Sequence, residues 1–195
     1  MFRIRHLGAV AIVAALLAGC ASVPERSAVA PAPVVADVRN PYPDYRWSNG
    51  FAPKAHEEAT ALFGPLALRP GDSRWAPAVP AAGEAQVVID LRTQLLYVYR
   101  AGQLVGVSTI SSGKKGKETQ LGFWAVRIKK KNGFSRKYDN APMPFMQMYD
   151  EKGLAFHGGK LPGYPASHGC VRLPVKFAER LFGLTKIGTK VIIEG

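Results

Sequence analysis

The chain has 195 residues, 47% of them hydrophobic, and a formal net charge of +12. This is the size and apolar content of one globular domain with extensions, which excludes a wholly disordered chain. The charge calls for an anionic partner (nucleic acid, a membrane surface or an acidic polymer), and the compartment decides among these.

The N-terminus points to export. Arg3, Arg5 and His6 form a basic start, Leu7 to Leu17 is uncharged and apolar, and Leu17-Ala18-Gly19-Cys20 follows. The apolar run is too short to span a bilayer comfortably and has the layout of a secretory signal. Leu-Ala-Gly-Cys resembles the bacterial lipobox. That resemblance implies a signal peptide over 1–19 and lipid on Cys20, which anchors the chain in the membrane. An uncleaved anchor and an ordinary signal peptide are the alternatives. The expected location is the cell envelope: periplasmic, lipid-anchored and, from Ala21, on the outer membrane. Export removes nucleic acid as a partner. Loss of Arg3 and Arg5 takes the charge from +12 to +10. An anionic envelope then suits the charge, although solubility alone would also explain it.

The only cysteines are Cys20 and Cys170. Exported cysteines usually pair. With Cys20 carrying lipid, Cys170 is a lone thiol where lone thiols oxidise. It is either an inert buried cysteine or a reactive one.

Residues 20–83 are Pro- and Ala-rich, which disfavours regular elements. The segment reads as a tether to Val38 and then an irregular arm, with two helical turns over Ala55 to Phe63. From Gln86 the texture becomes β-rich. Strands are expected at Val87 to Leu91, Leu95 to Arg100, Leu104 to Ile110 and Gly122 to Lys129. Met143 to Tyr149 and Gly153 to His157 suggest a hairpin. Pro174 to Phe182 reads as a helix stopped by Gly183, and Thr189 to Glu194 as a closing strand. The expected fold is mainly β, a sandwich- or barrel-like domain over 84–195 with one or two short helices. Lys114 to Lys137 holds nine basic residues and only Glu118 against them. That is either a lysine-guarded sheet edge or a binding surface.

The segment from His157-Gly158 to Ser167-His168-Gly169-Cys170-Val171-Arg172 concentrates the reactive groups. Acyl transfer needs a nucleophile, a base, a group orienting the base, and donors for the oxyanion. Cys170 supplies the nucleophile, and an imidazole would activate its thiol as a thiolate–imidazolium pair. His168 is nearer in sequence. His157, at the end of an expected strand, is the better-held base. Gly169 permits a sharp turn that presents backbone N–H groups to an oxyanion. Arg172 offers a clamp for a carboxylate. Zinc is a competing use of two histidines and a cysteine, but the spacing fits no standard finger. Serine chemistry at Ser167 lacks the Gly-x-Ser-x-Gly setting.

Ser167-His168-Gly169-Cys170-Val171-Arg172-Leu173 with the upstream His157-Gly158 resembles the signature of the YkuD-type L,D-transpeptidase catalytic domain, over about Glu84 to Glu194. The resemblance implies a β-sandwich-like fold and ping-pong acyl transfer on peptidoglycan stem peptides. It makes Cys170 the nucleophile, His157 the proton carrier and the Gly158 carbonyl the group orienting His157. Arg172, Ser167 and Tyr164 are expected at the substrate, His168 and Gly169 in the catalytic loop. No metal or organic cofactor is implied, and a monomer is expected. Gln120 replaces the proline of the family's usual Thr-Pro-x-Gly turn at Thr119 to Gly122, and only nine residues separate His157 from Ser167. An amine acceptor makes the protein a transpeptidase. Water makes it a carboxypeptidase or an amidase. A wall-binding lipoprotein without chemistry is the third reading.

Overall fold

Strands rich in Val, Ile, Leu and Tyr, interrupted by glycine turns, set the architecture. The computed structural model describes residues 43 and 46–195. The expected signal peptide, Cys20 and most of the tether lie outside the described residues. In chain order the elements are α1 (Phe51–Phe63), β1 (Ser73–Trp75), β2 (Ala85–Asp90), β3 (Leu95–Arg100), β4 (Gln103–Thr109), β5 (Gly122–Ala125) and β6 (Ile128–Phe134). They continue with β7 (Pro142–Met148), β8 (Ala155–Gly158), β9 (Val171–Leu173), α2 (Val175–Leu184) and β10 (Lys190–Glu194). The fold is mainly β, as expected, in two sheets ordered β1-β4-β3-β2-β10-β5 and β6-β7-β8-β9.

The larger sheet is covered on both faces, which explains its near-continuous apolar strands. Val87, Ile89, Leu96, Val98, Val191 and Ile193 point into the main core with Phe156, Val171, Leu173, Phe177 and Leu181. The alternate residues Val88, Leu95, Tyr97 and Ile192 face a second core, closed by Ala52, Ala55 and Ala59 of α1. Those alanines recur at helical spacing, and their small side chains let the helix lie close on the sheet. A register shift beside Val98 and Tyr99 puts Leu104 and Val107 on that same outer face, as a bulge does.

The Pro-rich arm is therefore more regular than expected. Pro53 sits in the first turn of α1, where its missing N–H costs nothing. The buried Glu194 carboxylate accepts the N–H groups of Asn49 (2.6 Å), Phe51 (3.3 Å) and Ala52 (2.7 Å) and the Ser48 hydroxyl (3.1 Å). A carboxylate at this end complements the helix dipole. Strand β1 pairs with β4, and Trp75 stacks on Phe177 at 4.6 Å.

Two further expectations are corrected. The single strand expected over Gly122 to Lys129 is two strands in different sheets. The chain turns the corner at Val126 and Arg127, whose N–H groups donate to Thr189 at 2.9 Å and Met148 at 2.7 Å. Helix α2 runs through Gly183 to Leu184. Its end is capped locally by Thr185, whose N–H and hydroxyl both donate to the Leu181 carbonyl, and from outside by Lys129 Nζ, which donates to the carbonyls of Phe182 (2.6 Å) and Thr185 (2.5 Å).

Candidate active site

Parallel pairing of β8 with β9 builds the centre. Phe156 lies opposite Val171, and His157 opposite Arg172. Side chains alternate along strands. Phe156, Val171 and Leu173 face the main core, so His157 and Arg172 face the other way. Cys170, one residue before Val171, shares their side. Two positions distant in sequence by thirteen residues thus become diagonal neighbours on one face.

The His157 ring is buried, and its Nδ1 lies 2.8 Å from the Gly158 carbonyl oxygen. A carbonyl only accepts, so Nδ1 carries the hydrogen and the neutral ring's Nε2 is left as proton acceptor. Burial lowers the His157 pKa, the Gly158 bond works against this, and the positive charge of Arg172 adds to it. The ring is thus neutral at neutral pH and ready to take a proton.

Cys170 is half-buried and packs, as Met148 does, against the cluster of Met143, Met146 and Ala155. Phe145 has φ 56, which turns β7 so that Met143 and Met146 reach one cluster although three apart. Burial in this apolar wall raises the Cys170 pKa. A backbone hydrogen bond from Ala155 lowers it, Asp150 raises it and Arg172 lowers it. Both shifts favour a resting neutral thiol and neutral imidazole over the expected thiolate–imidazolium pair.

The loop that carries Cys170 is tied to the segment after β4 and the turn that follows it. Ser167 N–H donates to the Ser112 carbonyl at 3.0 Å, and Lys114 N–H to the Ser167 carbonyl at 3.0 Å. The buried Ser167 hydroxyl accepts the Gly169 N–H at 3.0 Å and donates to the Cys170 carbonyl. The Ser167 hydroxyl donates its proton within the loop, so the structure shows it shaping the loop. One expectation changes accordingly. Gly169 does not offer its own N–H to an oxyanion, because Ser167 holds it. Glycine is nonetheless required there: φ is +118, and a Cβ would come 2.8 Å from Leu154. No described residue accepts from the Cys170 N–H.

His168 lies on the surface, its ring stacked on Tyr138 at 4.4 Å. Partial desolvation, then the charges of Lys114, Arg172, Lys117 and Lys137, lower its pKa. Those residues form a basic rim around the centre, and Lys137 also reaches toward the Tyr138 ring. Tyr164 is 46% exposed. Its carbonyl accepts the Ser111 hydroxyl at 2.8 Å, and its ring is on the loop beside the site. Among the described residues no three His, Cys, Asp or Glu side chains converge.

Sequence reading missed Thr119, Gln94 and the methionines. Gln94 has φ 55 and joins the Ser112 hydroxyl (2.8 Å) and N–H (3.0 Å) from a turn. No short motif announces such a contact. Thr119 was visible as the start of a turn, without any sign that its hydroxyl reaches the loop of Cys170.

Residues 84–193 match the YkuD model, described as the L,D-transpeptidase catalytic domain. A Bacillus subtilis (strain 168) protein, YqjB, which carries a provisional L,D-transpeptidase name, is 28% identical over 129 residues, 58% of this chain and 73% of its own. A crystal structure of an L,D-transpeptidase from Stackebrandtia nassauensis superposes with a TM-score of 0.54 at 27% identity, over 61% of this chain. The chain spans 59% of that protein's length. L,D-transpeptidase 3 from Mycobacterium tuberculosis, in complex with a faropenem-derived adduct, shares the fold with a TM-score of 0.53 at 20% identity, over 57% of this chain and 60% of its own. Helix α1 and strand β1 lie outside the matched residues.

Proposed function

The chain belongs to the L,D-transpeptidase catalytic-domain family, and from that premise we propose that it is an exported cysteine acyltransferase acting on peptidoglycan stem peptides. The observation that carries the reading is the shared face of Cys170 and His157, with His157 Nδ1 held by the Gly158 carbonyl. Cys170 passes its proton to His157 Nε2 as the sulfur attacks the carbonyl of a donor tetrapeptide. The tetrahedral intermediate collapses, and the terminal residue leaves as an amine with the proton from His157. An acceptor amine then gives His157 a proton, attacks the thioester and releases Cys170 as the thiol. Arg172 and the lysine rim suit a donor that carries carboxylates.

Purified protein given a tetrapeptide muropeptide and a free D-amino acid is expected to make cross-linked or exchanged product, and Cys170→Ala to make none. Faropenem is expected to add covalently to Cys170, seen by mass spectrometry. Tripeptide as the only product would put water in the acceptor's place. Neither product nor adduct would end the reading. Export and a lipid on Cys20 belong to the same proposal, motivated by the signal layout and Leu17-Ala18-Gly19-Cys20. Fatty-acid labelling of cells that persists in Cys20→Ala would refute the anchor.

A further inference from the structure

The nucleophile's peptide group is held by a side chain fifty positions away in sequence. The Thr119 hydroxyl is buried, accepts the Gly113 N–H at 2.9 Å and donates to the Gly169 carbonyl at 2.9 Å. The direction of this relay is fixed. An N–H can only donate, so the single hydroxyl proton of Thr119 is left for Gly169.

A trans peptide is planar, with its C=O and N–H pointing in opposite directions. Holding the Gly169 carbonyl therefore aims the Cys170 N–H away from Thr119. That N–H has no acceptor among the described residues, whereas the neighbouring Gly169 N–H is engaged by Ser167. Gly169, with φ +118, has the torsional freedom to let this plane swing, so something must fix it. The turn that brings Thr119 there is itself tightly constrained. A Cβ on Gly113 would fall 2.1 Å from the Lys117 carbonyl, and Lys117 N–H closes the turn onto Lys114 at 2.8 Å.

We infer that Thr119 is a positioning residue for acyl transfer: its hydroxyl fixes the Gly169–Cys170 peptide so that the Cys170 N–H receives the oxyanion. This rests on Cys170 being the nucleophile. It assigns no contact between Thr119 and substrate. It also gives the Thr119 to Gly122 turn a catalytic consequence that survives the loss of its usual proline.

The test separates two reactions of one sulfur. Acylation by faropenem passes through an oxyanion, whereas alkylation by iodoacetamide does not. In Thr119→Val, acylation of Cys170 is expected to slow on the order of 10²-fold, as misplacing a catalytic group by about 1 Å does. Alkylation should stay within about twofold, because the donor matters only where negative charge develops on oxygen. Thr119→Ser, which keeps the hydroxyl, should restore acylation. If Thr119→Val folds poorly, Thr119→Ala removes the same hydroxyl without added bulk and carries the same expectation. Unchanged acylation in these variants overturns the inference. So does a parallel fall in both reactions, which would mean a general effect on the thiol or the fold. A wild-type protein that faropenem does not acylate at Cys170 would instead overturn the nucleophile assignment, and the inference with it.

Discussion

The loop of Cys170, the proposed nucleophile, and the basic hairpin β6–β7 border the same centre but are built in opposite ways. Loop 167–170 is held from several directions: Ser167 by Ser112 and Lys114, Gly169 by Ser167 and Thr119, the Cys170 carbonyl by Ser167. The hairpin is at the edge of its sheet, and most of β6 is exposed. Its tip has left-handed backbone at Asp139 and Asn140. Its tip touches the loop through the stack of Tyr138 on His168, and its β7 methionines pack near Cys170. Rigid placement serves bond making, where small displacements cost rate. In the proposed reaction, solvated charges at the rim would serve encounter and orientation, where charges act over a distance.

The two histidines divide along this boundary, and that gives the largest expected effect. His157→Ala is expected to lower acylation and turnover by about 10²- to 10⁴-fold, the usual range for losing a general base. His168→Ala, at a loop residue whose ring points out to the hairpin, should cost no more than about tenfold. Single-turnover acylation rates would decide it, and the reverse order would break the division.

The pH profile sharpens the same point at smaller amplitude. Burial holds the His157 pKa below its ordinary value, so the neutral, proton-accepting ring persists to lower pH. Activity should fall only as pH drops through that depressed pKa, placing the acid limb below about 6.5, the ordinary histidine value. Arg172 also pushes the His157 pKa down. Arg172→Gln removes that charge, so the limb should move to higher pH. A limb that stays put in Arg172→Gln, or lies above the ordinary value, would assign the titration to another group.

The contrast also explains what the sequence disclosed. The strands of the larger sheet were legible because both of its faces are covered, so Val87 to Ile89 and Leu95 to Val98 stand out as apolar runs. The proposed pair was legible because Cys170 immediately precedes β9 and His157 lies near the end of the paired strand β8. Helix α1 was underestimated because its proline occupies a harmless first turn and its cap is Glu194, 142 positions from Ala52. The corner at Val126 was invisible because apolar texture continues across it while hydrogen bonding changes sheet. Thr119 and Ser167 show the same limit at the site. Residue type and spacing identify who can react, whereas long-range hydrogen bonds decide which N–H remains free.

The rim gives the smallest effect and the most selective one. Lys114, Lys117, Lys137 and Arg172 all depress the His168 pKa, which places their charges together beside the loop. Replacing the three lysines with glutamine should raise KM for a carboxylate-bearing donor by about three- to tenfold and leave kcat alone, since exposed charges steer association more than they stabilise bonds. The difference should shrink at high salt, because the screening length falls to about 3 Å at 1 M. A donor with amidated carboxylates should not distinguish the variant from the parent. An internal control needs no substrate: with the lysines gone, the His168 pKa should rise in an NMR titration. If it rises while KM is unchanged, the charges of the rim take no part in recognition. If KM rises equally for charged and amidated donors, the rim acts through its shape and not its charge, and the division between a rigid chemical loop and an electrostatic rim fails.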